Sequence, residues 1–200
     1  MHPLAFSAAL ADNEVFHYGQ AMKQPNRASF ITAMVKEVED LTNAGVWELK
    51  RKSKIGTCTL VDAIWSFKHK RAPNDTIIKH EARLCAHGGM QIEGEHFWET
   101  YSPVVQMTTV CLLLTLSLLL TLNSRSIDFT LAFTQAPMDV ETYIKLPVSF
   151  TVKGATEEYV LELKKTLYGL KQAGLNWYET LYEHLLLLGL NNPLKTHVAI

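Results

Sequence analysis

The sequence predicts an α+β fold, and three observations predict it. A helical period runs through residues 26–41. Two apolar–polar alternating stretches flank a Pro-Asn-Asp turn. The patterns then succeed one another as helix, hairpin, helix, strand, hairpin, helix. At 200 residues and 48% apolar composition, the chain can bury one good core or two small ones.

Residues 1–24 read as a weakly ordered lead-in that ends at Pro25. Asn26 and Arg27 then open a helix whose apolar residues Phe30, Met34, Val38 and Leu41 recur at helical spacing, and Asn43-Ala44-Gly45 stops it. Residues 46–50 and 63–70 alternate as strands do; in the second, Ile64, Ser66, Lys68 and Lys70 share one face and Trp65, Phe67 and His69 the other. The turn Ala72-Pro73-Asn74-Asp75 sends the chain back through a second strand, residues 76–86. Gly88, Gly89 and Gly94 mark a loop leading to a Leu-rich helix over residues 107–122. An apolar strand is expected from Ser126. Two short strands at 142–146 and 159–163 flank a loop with Pro147 and Gly154, and a last helix spans 172–188 with Trp177, Leu181, Leu185 and Leu188 on one face.

The net charge of −1 conceals an uneven layout. From Lys50 to Arg83 nine Lys and Arg face three acids, roughly +6, so the remainder carries about −7. Such a stretch suits a phosphate or nucleic-acid surface, and equally a solvated sheet face. Cys58, Cys85 and Cys111 are odd in number and unclustered, which indicates neither a disulfide framework nor a zinc site and suits a reducing compartment. No basic region followed by an apolar one opens the chain, so secretion is not expected and a cytoplasmic location is. The run at residues 110–122 is very apolar but thirteen residues long, whereas a bilayer takes about twenty; a buried helix is expected and no membrane partner.

Several side chains carry candidate chemistry. Asp128 at a strand end could ligate a divalent metal, or cap the turn at Thr130. Phe133 could wall a sugar pocket or belong to the core. Lys68, Lys70 and Arg83 lie on opposing strands of one hairpin, where they could grip a triphosphate or protect an exposed ribbon. Gln172 is either a polar nucleotide contact or an exposed first-turn residue. His80, Glu81, Cys85 and His87 match no zinc pattern.

Read in order, five blocks resemble the reverse transcriptase of copia-type LTR retrotransposons. They are Ala33 to Val38 with Val46-Trp47-Glu48-Leu49; Trp65-Ser66-Phe67-Lys68 with Lys70 and His80-Glu81-Ala82-Arg83-Leu84; Glu99 to Val105; Asp128 to Phe133; and Leu167 to Ala173 with Trp177-Tyr178. The resemblance implies a right-hand polymerase fold, with fingers at about residues 26–105, the first part of the palm at about 106–190, and a tail at 191–200. It implies templated deoxynucleotide addition by a two-metal, Mg²⁺-dependent mechanism, with an RNA or DNA template-primer and deoxynucleoside triphosphates as partners. Asp128 would be the first metal-binding aspartate and Phe133 the gate against a ribose 2′-OH. Arg83, with Lys68 or Lys70, would contact phosphates, and Gln172 the sugar.

Two departures bear on activity. The family's aromatic-x-Asp-Asp box is missing, since no Asp-Asp pair occurs in the 200 residues and no acid follows Glu183. Thr134-Gln135-Ala136-Pro137 also replaces the usual Leu-Asn-Gly-rich continuation. The expectation is therefore a polymerase fragment that is inactive alone. The alternatives are a nucleic-acid-binding remnant using the basic hairpin, and a non-functional half-palm prone to aggregate.

Overall fold

The computed structural model describes residues 15–56, 58–148, 150 and 158–189; the expected tail and the Gly154 loop lie outside them. In chain order the elements are β1 (Val15–His17), α1 (Tyr18–Ala21), α2 (Arg27–Asn43), β2 (Trp47–Arg51), β3 (Ala63–Arg71), β4 (Ile77–Ala86), α3 (Met107–Leu119), β5 (Pro137–Lys145), β6 (Tyr159–Lys165) and α4 (Ala173–Leu187). They form two three-stranded antiparallel sheets, ordered β1-β3-β4 and β2-β6-β5. The mixed helix and sheet content agrees with the α+β expectation.

Helix α2 buries Phe30, Met34 and Leu41. It ends because Gly45 adopts φ +66°, which lets Gly45 N–H reach the Thr42 carbonyl and Val46 N–H reach that of Leu41 (3.0 and 3.1 Å). Leu41 and Val46 are both fully buried, so the apolar contact that usually accompanies this cap is available. On β3 the predicted faces separate as expected, with Trp65, Phe67 and His69 buried and Lys68 and Lys70 exposed. Phe30 stacks on His69 at 5.2 Å and meets Phe67 and His80 edge-on at 5.2 and 5.1 Å. Burying one such aromatic contributes about 1.5–3 kcal/mol, which fixes α2 against the hairpin.

Within the span read as a lead-in, Val15–His17 forms a strand and Tyr18–Ala21 a helix. From Val15 the chain pairs with β3, because Phe16 packs against Phe30 and His69 at 6.2 and 5.2 Å. Residues 1–14 lie outside the described residues.

Two other expectations fail. No strand begins at Ser126: residues 123–129 have no regular structure and are exposed, and among the described residues both sheets are complete without them. A strand forms only where a neighbour satisfies its backbone groups, and hydropathy alone does not supply that neighbour. Helix α3 forms, but it is not buried; every residue is exposed except Val110 and Ser117, which are half-buried. Hydropathy records that these leucines favour burial and says nothing of what would bury them. Among the described residues no helix is long and apolar enough to cross a membrane.

The sheets meet along a narrow seam. Val61 bridges to Ile144, with Val61 N–H on the Tyr143 carbonyl (3.0 Å) and Lys145 N–H on the Val61 carbonyl (2.9 Å). At the other end, Ala86 N–H donates to the Tyr168 carbonyl at 2.7 Å. Gly169, at φ +89°, lies so close that a Cβ there would collide with the Ala86 carbonyl, and one on Gly88 would collide with that of Gly169. Gly169→Ala is therefore expected to lower stability by at least roughly 1–3 kcal/mol from backbone strain alone. Urea unfolding followed by circular dichroism measures this; an unchanged midpoint would show that the seam yields.

Candidate functional site

The hairpin register places Ser66 opposite Arg83, Lys68 opposite Glu81 and Lys70 opposite Lys79. Alternation puts Lys68, Lys70, Lys79 and Arg83 on the outer face, four cations around one carboxylate. Glu81 lies 3.5 Å from Lys79 and 4.0 Å from Arg83. Lys70 and Lys79 face each other directly, an arrangement that costs stability and that a bound anion would relieve. Val15, Ser66, Lys68, Lys70, Glu81 and Arg83 line an open cleft of about 430 Å³.

Arg83 also connects this face to the second sheet. Its guanidinium carbon lies 5.5 Å above the Tyr168 ring, and Phe133 meets the same ring edge-on at 5.4 Å. Backbone contacts hold this stack. The Thr166 hydroxyl donates to the Phe133 carbonyl, Thr166 N–H to that of Ala136 (2.9 Å), and Ala86 N–H to that of Tyr168. The segment after β6 is thus held between the 133–136 turn and the end of β4. Burial pushes the Tyr168 hydroxyl pKa up. Tyr168 stands in the Leu167 to Ala173 block yet was not singled out from sequence. The available signal was an aromatic immediately before a glycine, a residue type suited to the sharp turn that presents it.

Gln172 is not an exposed first-turn residue. It is fully buried, its carbonyl accepting from the Gln91 amide and its own amide donating to the His96 carbonyl, both at 2.9 Å. Gln91 also accepts from Lys171 N–H (2.7 Å), and the Lys171 ammonium lies 4.5 Å over Phe97. Gln172 therefore fastens the loop after β4 to the start of α4.

Asp128 lies on the exposed stretch before the 133–135 turn, beside Phe129, whose ring meets Trp177 edge-on at 5.1 Å. Among the described residues no hydrogen bond or ion pair joins its carboxylate to Lys68, Lys70, Arg83, Phe133 or Gln172. A Mg²⁺ pair takes several carboxylate oxygens. Among the described residues no group of three or more His, Cys, Asp or Glu could hold a metal ion. The donor set present does not fit a two-metal centre.

A family model described as reverse transcriptase (RNA-dependent DNA polymerase) matches residues 45–197. The retrovirus-related Pol polyprotein from transposon TNT 1-94 of Nicotiana tabacum is 34% identical over 167 residues, 84% of this chain and 12% of that protein. The corresponding polyprotein from transposon RE1 of Arabidopsis thaliana is 31% identical over 194 residues, 97% of this chain and 13% of its own length. The transposon Ty1-ER2 Gag-Pol polyprotein of Saccharomyces cerevisiae is 31% identical over 182 residues, 87% and 10% respectively. The chain thus spans only 10–13% of the length of these relatives. No solved structure matches it significantly.

Gln172→Leu leaves the Gln91 amide and the His96 carbonyl without their partner, and is expected to cost roughly 1–3 kcal/mol per orphaned group by denaturant titration. A second expectation concerns Cys85, beside Glu37. Burial first, and the Glu37 charge next, push the Cys85 thiol up to about 11 from 9.0. At pH 8 it holds about a hundredfold less thiolate than an ordinary cysteine. Mass-spectrometric iodoacetamide mapping should therefore find exposed Cys111 alkylated well before Cys85; equal rates would contradict the burial.

Proposed function

The chain belongs to the reverse transcriptase (RNA-dependent DNA polymerase) family, with relatives among copia-type transposons, and from that premise we propose that it forms the nucleotide-facing part of such a polymerase. Residues 26–105 are the fingers and 106–190 the first part of the palm. The observation that carries this reading is the Arg83–Tyr168–Phe133 stack, which brings together residues from three separate sequence blocks beside a cationic face.

Each residue then has a role toward a deoxynucleoside triphosphate. Arg83 offers a planar fork to phosphate oxygens, and Lys68 and Lys70 add point charges along the same face. Phe133, whose backbone is tied to Thr166, closes the space a ribose 2′-OH would enter. Tyr168 holds Phe133 and Arg83 at a fixed separation, so sugar and phosphates are positioned by one rigid group. Gln172 acts from behind, keeping the turn in place.

In a complete polymerase, divalent metal ions would activate a primer 3′-oxygen and stabilise the departing pyrophosphate, and Asp128 would offer one carboxylate where such ions need several. With no Asp-Asp pair in the sequence, the chain alone is inactive in this reading. Exposed helix α3 supports it further: a helix apolar on every side is stable where protein surrounds it, so more of the polymerase would cover it. A second reading, a nucleic-acid-binding remnant without chemistry, rests on the same cationic face.

Primer extension and duplex binding separate these readings. The full chain with Mg²⁺ and a primed template is expected to add no deoxynucleotide. Extension that Asp128→Asn abolishes would refute the inactivity. An RNA–DNA duplex is expected to bind with salt-dependent affinity. Replacing Lys68, Lys70 and Arg83 together by Ala should lower the salt slope by about 2–3, as for three lost phosphate contacts. Salt-insensitive binding would remove the cationic face from both readings.

A further inference from the structure

Behind the cationic hairpin, on the opposite side of β3, α1, α2, Val148 and Phe150 line a second cleft of about 420 Å³. Its volume falls within the usual range of small-ligand pockets, about 300–1,000 Å³. Met34 and Trp65, both nearly fully buried, are among its lining residues. The Trp65 indole N–H donates to the Val148 carbonyl at 3.2 Å, which ties one wall to the other. Tyr18 and Phe150 add two more aromatic rings, and Val35 stands exposed at the rim.

The charge of this cleft is opposite to that of the hairpin face. Among the described residues Glu39, itself exposed, is the single charged group in the lining, and no Lys, Arg or His stands there. Among the described residues neither the Glu39 carboxylate nor the Tyr18 hydroxyl has a hydrogen-bond or ion-pair partner. An apolar cavity with three aromatic rings and one unpaired carboxylate discriminates by charge. The exposed Glu39 carboxylate attracts a cation at the mouth, aromatic residues in the wall favour it over an anion, and the aliphatic walls accept whatever apolar body it carries. An anion meets only repulsion there, and a neutral molecule gains the apolar contacts alone.

We propose that this cleft is a binding site for an organic ammonium ion bearing apolar substituents. The proposal is independent of the polymerase reading, since it shares no residue with the cationic face or the Tyr168 stack.

The test uses the full chain, ¹⁵N-labelled, with the Trp65 indole N–H resonance assigned by comparison with Trp65→Phe. Benzyltrimethylammonium, benzyl alcohol and phenylacetate are titrated in turn at constant ionic strength. Following one indole resonance separates binding in the cleft from adsorption to the exposed leucines of α3. Benzyltrimethylammonium is expected to give a saturable shift and phenylacetate none, with benzyl alcohol weaker than the cation. Glu39→Gln should weaken the cation roughly two- to fivefold, a loss set by one solvent-exposed charged contact. Val35→Trp at the rim and Met34→Trp at the floor should each block binding by filling the cleft. Val35 is exposed, so that variant keeps the test decisive if Met34→Trp does not fold. Equal shifts from cation and anion, an unchanged affinity in Glu39→Gln, or no saturable shift at all would overturn the proposal.

Discussion

The approach of Gly169 to Ala86 and Gly88 is the constraint from which the rest follows. Two backbones meet there with no room for a Cβ on either glycine, and the Ala86–Tyr168 hydrogen bond fixes their register. The contact lies at the end of β4 and just past β6, so it joins the two sheets where their side chains are needed together. A side-chain contact can adjust by changing rotamer; a backbone contact of this kind cannot, which makes the separation between Arg83 and Phe133 a property of the fold. The buried Gln91–Gln172 pair reinforces the joint from the helix side.

The cationic face depends on a different kind of support. Long Lys and Arg side chains are floppy, and their use in recognition rests on the stiffness of the strands that carry them. Here the reverse side of the hairpin is an aromatic and imidazole cluster of Phe16, Phe30, Phe67, His69 and His80, pinned by α2. The Asn26 side chain reaches the ring nitrogens of His80 and His69 at 2.6 and 3.3 Å instead of capping its own helix. One helix end thereby serves the sheet, and the sheet holds its charges in a plane.

Local pattern made much of this legible. The α2 period, the faces of β3 and the hairpin turn were readable because each is settled by residues close in sequence. The ordered blocks identified the family for the same reason. What escaped depended on distant partners. Gln172 looked exposed because a glutamine at a helix start usually is; only Gln91 and His96, from a loop far upstream, explain its burial. Tyr168 gained its significance from Arg83 and Phe133, neither of which adjoins it in sequence. The strand expected at Ser126 and the burial expected of α3 failed together, since an apolar segment states a demand for cover without naming what meets it.

That demand has a consequence in time. A thirteen-residue helix is marginal in isolation, and α3 leaves nearly all of its leucines exposed. A chain leaving the ribosome at about 5–20 residues per second presents these leucines before any later polypeptide can reach them. While these leucines stay uncovered, a chaperone would recognise the nascent protein, and neighbouring copies on one message could adhere through the same helix.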